Sequence, residues 1–122
     1  MKVENKIFWS WMILFVMIDV LDLLSTLIGL QIPGVFETNP VSAYFFTFGP
    51  IGYLFAMVWA FSVMLAIMIF VRLVMRLYKL MTGNETPVLL QWIVYSMTAL
   101  SAIIGKLLAV FSNTMIILLH YF

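Results

Sequence analysis

The stretch VLDLLSTLIGLQIPGVFETNPVSAYFF, residues 20–46, places an acid inside a hydrophobic run and follows it with a polar corner. Asp22 has Asp19 one helical turn before it, and the corner reads Glu37-Thr38-Asn39-Pro40. The composition around it decides how it folds. With 66% hydrophobic and 9% charged residues, a chain of 122 cannot hide its apolar surface in one small water-soluble core. The bilayer is the solvent that suits it, and the quoted stretch is then the end of a membrane-crossing helix together with its turn. Pro33 and Gly34 stop that helix. Asn39 is placed to cap a restart, and Pro40 suits a first helical position, where its missing N–H costs nothing.

Working outward, the first span covers about residues 7–30, roughly 36 Å of helix and enough to cross a hydrocarbon layer with tilt. Lys2 and Lys6 precede it, as in a signal peptide, but the apolar run is too long and no small-residue cleavage site follows. It reads as a retained helix. For the segment of about 40–48 an ordinary interfacial turn is the simpler expectation, with a short interfacial helix as the alternative. Gly49-Pro50 opens the second span, about 50–75, which runs on through RLVMRLYKL. Arg72, Arg76 and Lys79 fall on one face there and are expected to touch lipid head groups. TGNETP makes the next turn, with Asn84 or Thr86 as candidate caps and Pro87 opening a third span of about 88–119. The expected architecture is all-α: a single transmembrane domain over 1–122, built as an integral membrane bundle of three helices.

Lys2 and Lys6 lie before span one and Arg72, Arg76 and Lys79 after span two, whereas the 31–49 connection and the C-terminal tail carry no Lys or Arg. The positive-inside rule therefore puts the N-terminus in the cytoplasm and the C-terminus outside, with the Glu37 corner facing outward. Asn84-Glu85-Thr86 spells a glycosylation acceptor, but on the opposite face and directly before Pro87. A formal charge of +1 offers nucleic acid no large attraction, and the absence of cysteine removes disulfides and thiolate metal sites.

At 100° per residue, Asp19, Asp22, Ser25, Thr26 and Gly29 share one face of the first helix within about 120°. In the third helix Ala99, Ala102, Lys106, Ala109 and Asn113 share another, and Gly52, Ala56 and Ala60 form a small-residue seam on the second. These faces are expected to meet. A lone charge at such depth costs about 3 kcal/mol, so Asp22 and Lys106 are expected to pair, with Asp19 a protonated or hydrogen-bonded neighbour. Trp9, Trp11, Tyr44, Tyr53, Trp92 and Tyr121 sit near span ends and read as interfacial anchors.

The Asp22, Thr26, Glu37, Asn39 and Pro40 pattern resembles that of an uncharacterised family of small multi-spanning prokaryotic membrane proteins, a domain of unknown function. The resemblance implies a basic residue in the last helix, where Lys106 stands. It implies no activity, because the family carries none.

Enzyme chemistry is not expected, and neither is a cofactor. His120, the single histidine, reads as an interfacial anchor beside Tyr121, and Asp19, Asp22 and Glu37 lack metal-site spacing. No nucleophile elbow or nucleotide loop occurs. The expected role is a non-enzymatic accessory or structural subunit of a membrane assembly, held by the intramembrane Asp/Lys seam. One alternative is an oligomeric proton- or cation-coupled transporter or channel using the same residues. Another is a lipid-head-group binding protein. The expected partners are the bilayer and either further copies of the chain or a larger membrane complex, with no nucleic acid.

Overall fold

Among the described residues, 2–122, the computed structural model holds four helices and no strand: α1 (Lys2–Gly29), α2 (Pro40–Phe46), α3 (Pro50–Thr82) and α4 (Val88–Tyr121). α1 carries no proline, and its one glycine, Gly29, is its last residue. Apolar side chains continue almost unbroken along it, so nothing local stops the helix before the Leu30–Gly34 turn. There Leu30 N–H donates to the Thr26 carbonyl at 2.9 Å and Gly34 takes φ of 86°. At 27, 33 and 34 residues, the apolar stretches of α1, α3 and α4 are each long and apolar enough to cross a membrane. The chain is thus a multi-pass membrane protein. α3 and α4 would each extend about 50 Å, more than the roughly 30 Å of a hydrocarbon layer, so they tilt or protrude beyond it.

The segment after α1 is a helix and not a plain turn. The Asn39 side chain accepts from Val41 N–H at 3.0 Å and from Ser42 N–H at 3.5 Å, and Pro40 occupies the first turn. Seven residues of helix follow, because the cap satisfies donors that a turn would leave to water. α2 then lies along α3: Phe46 meets Tyr53 edge-on at 5.2 Å, and Phe45 stands 6.4 Å from both Phe55 and Trp59. A Cβ on Gly52 would overlap the Phe45 backbone carbonyl, so the glycine is what lets the two helices approach. Gly52 therefore faces α2, which corrects its expected place in a seam toward the other spans.

Gly83, left-handed at φ 71°, ends α3, and its N–H returns to the Lys79 carbonyl at 2.9 Å. Neither Asn84 nor Thr86 caps α4. Pro87 stands in that position without a side-chain bond, and Gln91 instead donates to the Thr86 carbonyl at 3.0 Å. Other hydroxyls along the helices, exposed at Ser62 and Thr114 and partly buried at Thr98, are satisfied within their own helix: Ser62 to Val58 at 2.7 Å, Thr98 to Val94 at 2.8 Å and Thr114 to Val110 at 2.7 Å.

α1 packs most extensively on α4 and also on α3, whereas α3 and α4 touch each other least among these pairs. The buried apolar residues of these three helices occupy one half of their length. They are Ile7, Phe8, Met12, Phe15 and Ile18 of α1, Met64, Met68 and Met75 of α3, and Tyr95, Ala99 and Ile103 of α4. Ala99 is fully covered, which brings α1 and α4 close. The accessible surface of 8286 Å² exceeds the roughly 6,700 Å² expected of a water-soluble globule of this mass, and large apolar side chains are exposed along all three long helices. That surface belongs against lipid.

Candidate polar cavity between the helices

Toward the corner, the face of α1 that carries Met12, Phe15 and Ile18 continues as Asp19, Asp22, Ser25 and Thr26. The face of α4 that carries Tyr95, Ala99 and Ile103 continues as Lys106, Ala109 and Asn113. The dry core thus gives way to a polar half at one level on both helices. A cavity of about 360 Å³ occupies that half, bounded by α1, the Val35–Asn39 connection, α2, α3 and α4.

Lys106 forms its floor. Its Nζ lies 2.8 Å from Asp19 Oδ1 and 2.9 Å from Asp22 Oδ2, so one ammonium bridges two carboxylates one turn apart on the neighbouring helix. Asp19, expected as a protonated or hydrogen-bonded neighbour of an Asp22–Lys106 pair, is itself in direct contact with the lysine. It shares the lysine because the i, i+3 spacing sets both side chains on the same face. Asp19 keeps 7% of its side chain exposed and Asp22 18%, which makes Asp22 the carboxylate more open to the cavity. Two turns above Lys106, Asn113 Nδ2 donates to Ser25 Oγ at 3.2 Å and to Thr26 Oγ1 at 3.0 Å. Ser25 in turn donates to the Asp22 carbonyl at 3.0 Å. Six polar side chains, four on α1 and two on α4, thereby meet across one helix interface.

The corner is built locally. Asn39 N–H donates to Glu37 Oε1 at 2.8 Å while the Asn39 side chain caps α2, so Glu37, Asn39 and Pro40 form one turn. Glu37, Thr38 and Asn39 line the cavity together with Asp19, Asp22 and Lys106. Among the described residues, no group of three or more acidic or histidine side chains is arranged to hold a metal ion.

The basic stripe is divided. Arg72, expected at lipid head groups, turns into the bundle: its Nε lies 3.4 Å from Glu4 Oε1, its Nη2 donates to Asn5 Oδ1 at 2.5 Å, and its Cζ stands 4.4 Å over the Phe8 ring. Tyr95 donates its hydroxyl to the same Glu4 oxygen at 2.9 Å. This second polar cluster joins the start of α1 to α3 and α4 at the end opposite the cavity. Sequence reading missed it; the available signal was Glu4, an acid among the N-terminal lysines. Lys79 pairs instead with exposed Glu85 at 2.7 Å, and its ammonium holds that carboxyl below the usual range. Trp11, expected as an anchor, packs against the core.

Comparison with curated proteins and with solved structures gives no match. A family of proteins does match, over residues 13–121, and its span takes in the polar floor, the corner and the whole of α2, α3 and α4. Its description is "Domain of unknown function (DUF5658)", and the chain belongs to that family.

Proposed function

We propose that this small multi-pass membrane protein is a non-enzymatic accessory subunit, whose α1–α4 seam holds open a polar cavity at one membrane face. The observation that carries this reading is the Lys106 bridge to Asp19 and Asp22, set where the packed core ends and the cavity begins. Ionised side chains inside a membrane are tolerated when they pair or line a hydrated space, and here they pair and line a cavity with room for water. On the opposite side of the floor, Phe15, Ile18, Tyr95 and Ile103 are buried, which supports a closed-ended cavity over a pore through one chain. By the distribution of Lys and Arg, the cavity opens outward and the Glu4–Arg72 cluster lies on the cytoplasmic side.

Purified protein reconstituted alone in liposomes tests this reading. The expected result is proton and cation flux no greater than that of empty liposomes, with a larger membrane subunit retained when the protein is extracted in lipid nanodiscs and weighed by native mass spectrometry. Flux by the protein alone, abolished by Asp22→Asn, contradicts it. That outcome supports the second reading, an oligomeric cation-coupled transporter, which the carboxylates lining the cavity favour.

A further inference from the structure

We propose that the cavity binds a small organic ammonium group, free or carried by a lipid head group. The inference rests on the reading of this cavity as the working site, and it starts from charge. Asp19, Asp22 and Glu37 line the space against one basic residue, Lys106, so three carboxylates face one ammonium and two formal negative charges remain. Lys106 already contacts both aspartates, which leaves no free cation in the lining to receive an anion.

Size and donor arrangement narrow the class. A volume of about 360 Å³ is at the lower end of small-molecule pockets and well beyond a bare ion. The carboxylates are also not gathered closely enough to form a metal-binding group. They are distributed, with Asp22 on the floor and Glu37 in the corner segment, as suits a cation with a body. Phe36, Phe46 and Trp59 contribute to the wall, and aromatic side chains together with carboxylates are the surroundings in which alkylammonium groups are desolvated at least cost. Outward-facing polar loops of a metal site or an anion site would show the reverse pattern: clustered acids or unpaired bases.

Isothermal titration calorimetry with tetramethylammonium chloride tests the proposal on the full chain in nanodiscs made only of phosphatidylglycerol. Saturable binding is expected, with no equivalent heat from sodium chloride. Glu37→Gln, which retains an oxygen acceptor for Asn39 N–H, is expected to weaken binding about tenfold, and Trp59→Leu by a similar factor. If the same titration is silent in nanodiscs containing phosphatidylcholine, the natural source is the lipid head group; if it is unchanged, the source is a free ammonium compound. No binding in phosphatidylglycerol nanodiscs, or equal affinity in the wild type and Glu37→Gln, overturns the proposal. Flux in liposomes remains a separate readout, so the accessory reading and the ammonium site fail by different measurements.

Discussion

Lys106 of α4 lies 2.8 Å from Asp19 of α1, and the same ammonium reaches Asp22 one turn further on. One lysine thereby neutralises part of two acids that would otherwise repel each other in a medium of low dielectric. Lys106→Met should leave both carboxylates facing an apolar neighbour, at a cost on the order of 3 kcal/mol, read as a lower unfolding midpoint in detergent. Asp22→Asn alone should cost less, because Lys106 keeps Asp19. Lys106→Met combined with Asp19→Asn and Asp22→Asn should recover most of the loss. A Lys106→Met protein as stable as the wild type would remove the seam from the account.

At the other end, Glu4 accepts from Tyr95 and pairs with Arg72, and the side chains of Glu4 and Arg72 are largely covered. Tyr95→Phe should cost about 1 kcal/mol and Arg72→Met about 1–3 kcal/mol. Lys79 and Glu85 form the internal control. Their pair is exposed, and the lowered Glu85 pKa means that its contribution is present above the unfolded carboxyl value and is lost as pH falls through the lower folded value. Solvent screening makes that contribution small, so Glu85→Gln should leave the midpoint and its acid limb unchanged. Equal sensitivity at Arg72 and Glu85 would contradict the distinction.

The contact between α2 and α3 turns on Gly52. Gly52→Ala should force α2 away and cost about 1–3 kcal/mol, since the obstacle is the Phe45 backbone and not a flexible side chain. Gly105 has no atom near the position its Cβ would take. Gly105→Ala should therefore be neutral or stabilising by up to about 1 kcal/mol, through helix propensity. The two thermal midpoints, measured side by side, check the assignment.

Much of this arrangement is legible in the amino-acid sequence. Asp22 and Lys106 could be matched by depth and helical phase, and Asn39-Pro40 carries its own capping chemistry. Whether residues 40–46 form a turn or a helix was not legible, because the deciding packing of Phe45 and Phe46 on α3 is tertiary. Arg72 was misplaced for a related reason. Its spacing with Arg76 and Lys79 describes a face, but its partners Glu4 and Asn5 come from another helix, and Glu4 is held in turn by Tyr95 of a third. The cavity itself is a property of how the helices diverge, which no single helix encodes.

Because the chain has no cysteine, a single introduced thiol reports on its own position. Thr38→Cys should react with a membrane-impermeant maleimide added to intact cells, and Asn84→Cys only after permeabilisation. The reverse pattern would invert the orientation and put the cavity mouth in the cytoplasm.

If α1 and α4 of one chain are joined along the polar seam, Thr26 and Asn113 must lie side by side in the membrane. The variant carrying both Thr26→Cys and Asn113→Cys, treated in membranes with a short bis-thiol cross-linker and analysed by peptide mass spectrometry, should yield a bridge within one chain. That follows from the 3.0 Å separation of Asn113 Nδ2 and Thr26 Oγ1. A bridge that forms only between chains, in mixtures of the two single-cysteine proteins, or no bridge at all, would contradict it.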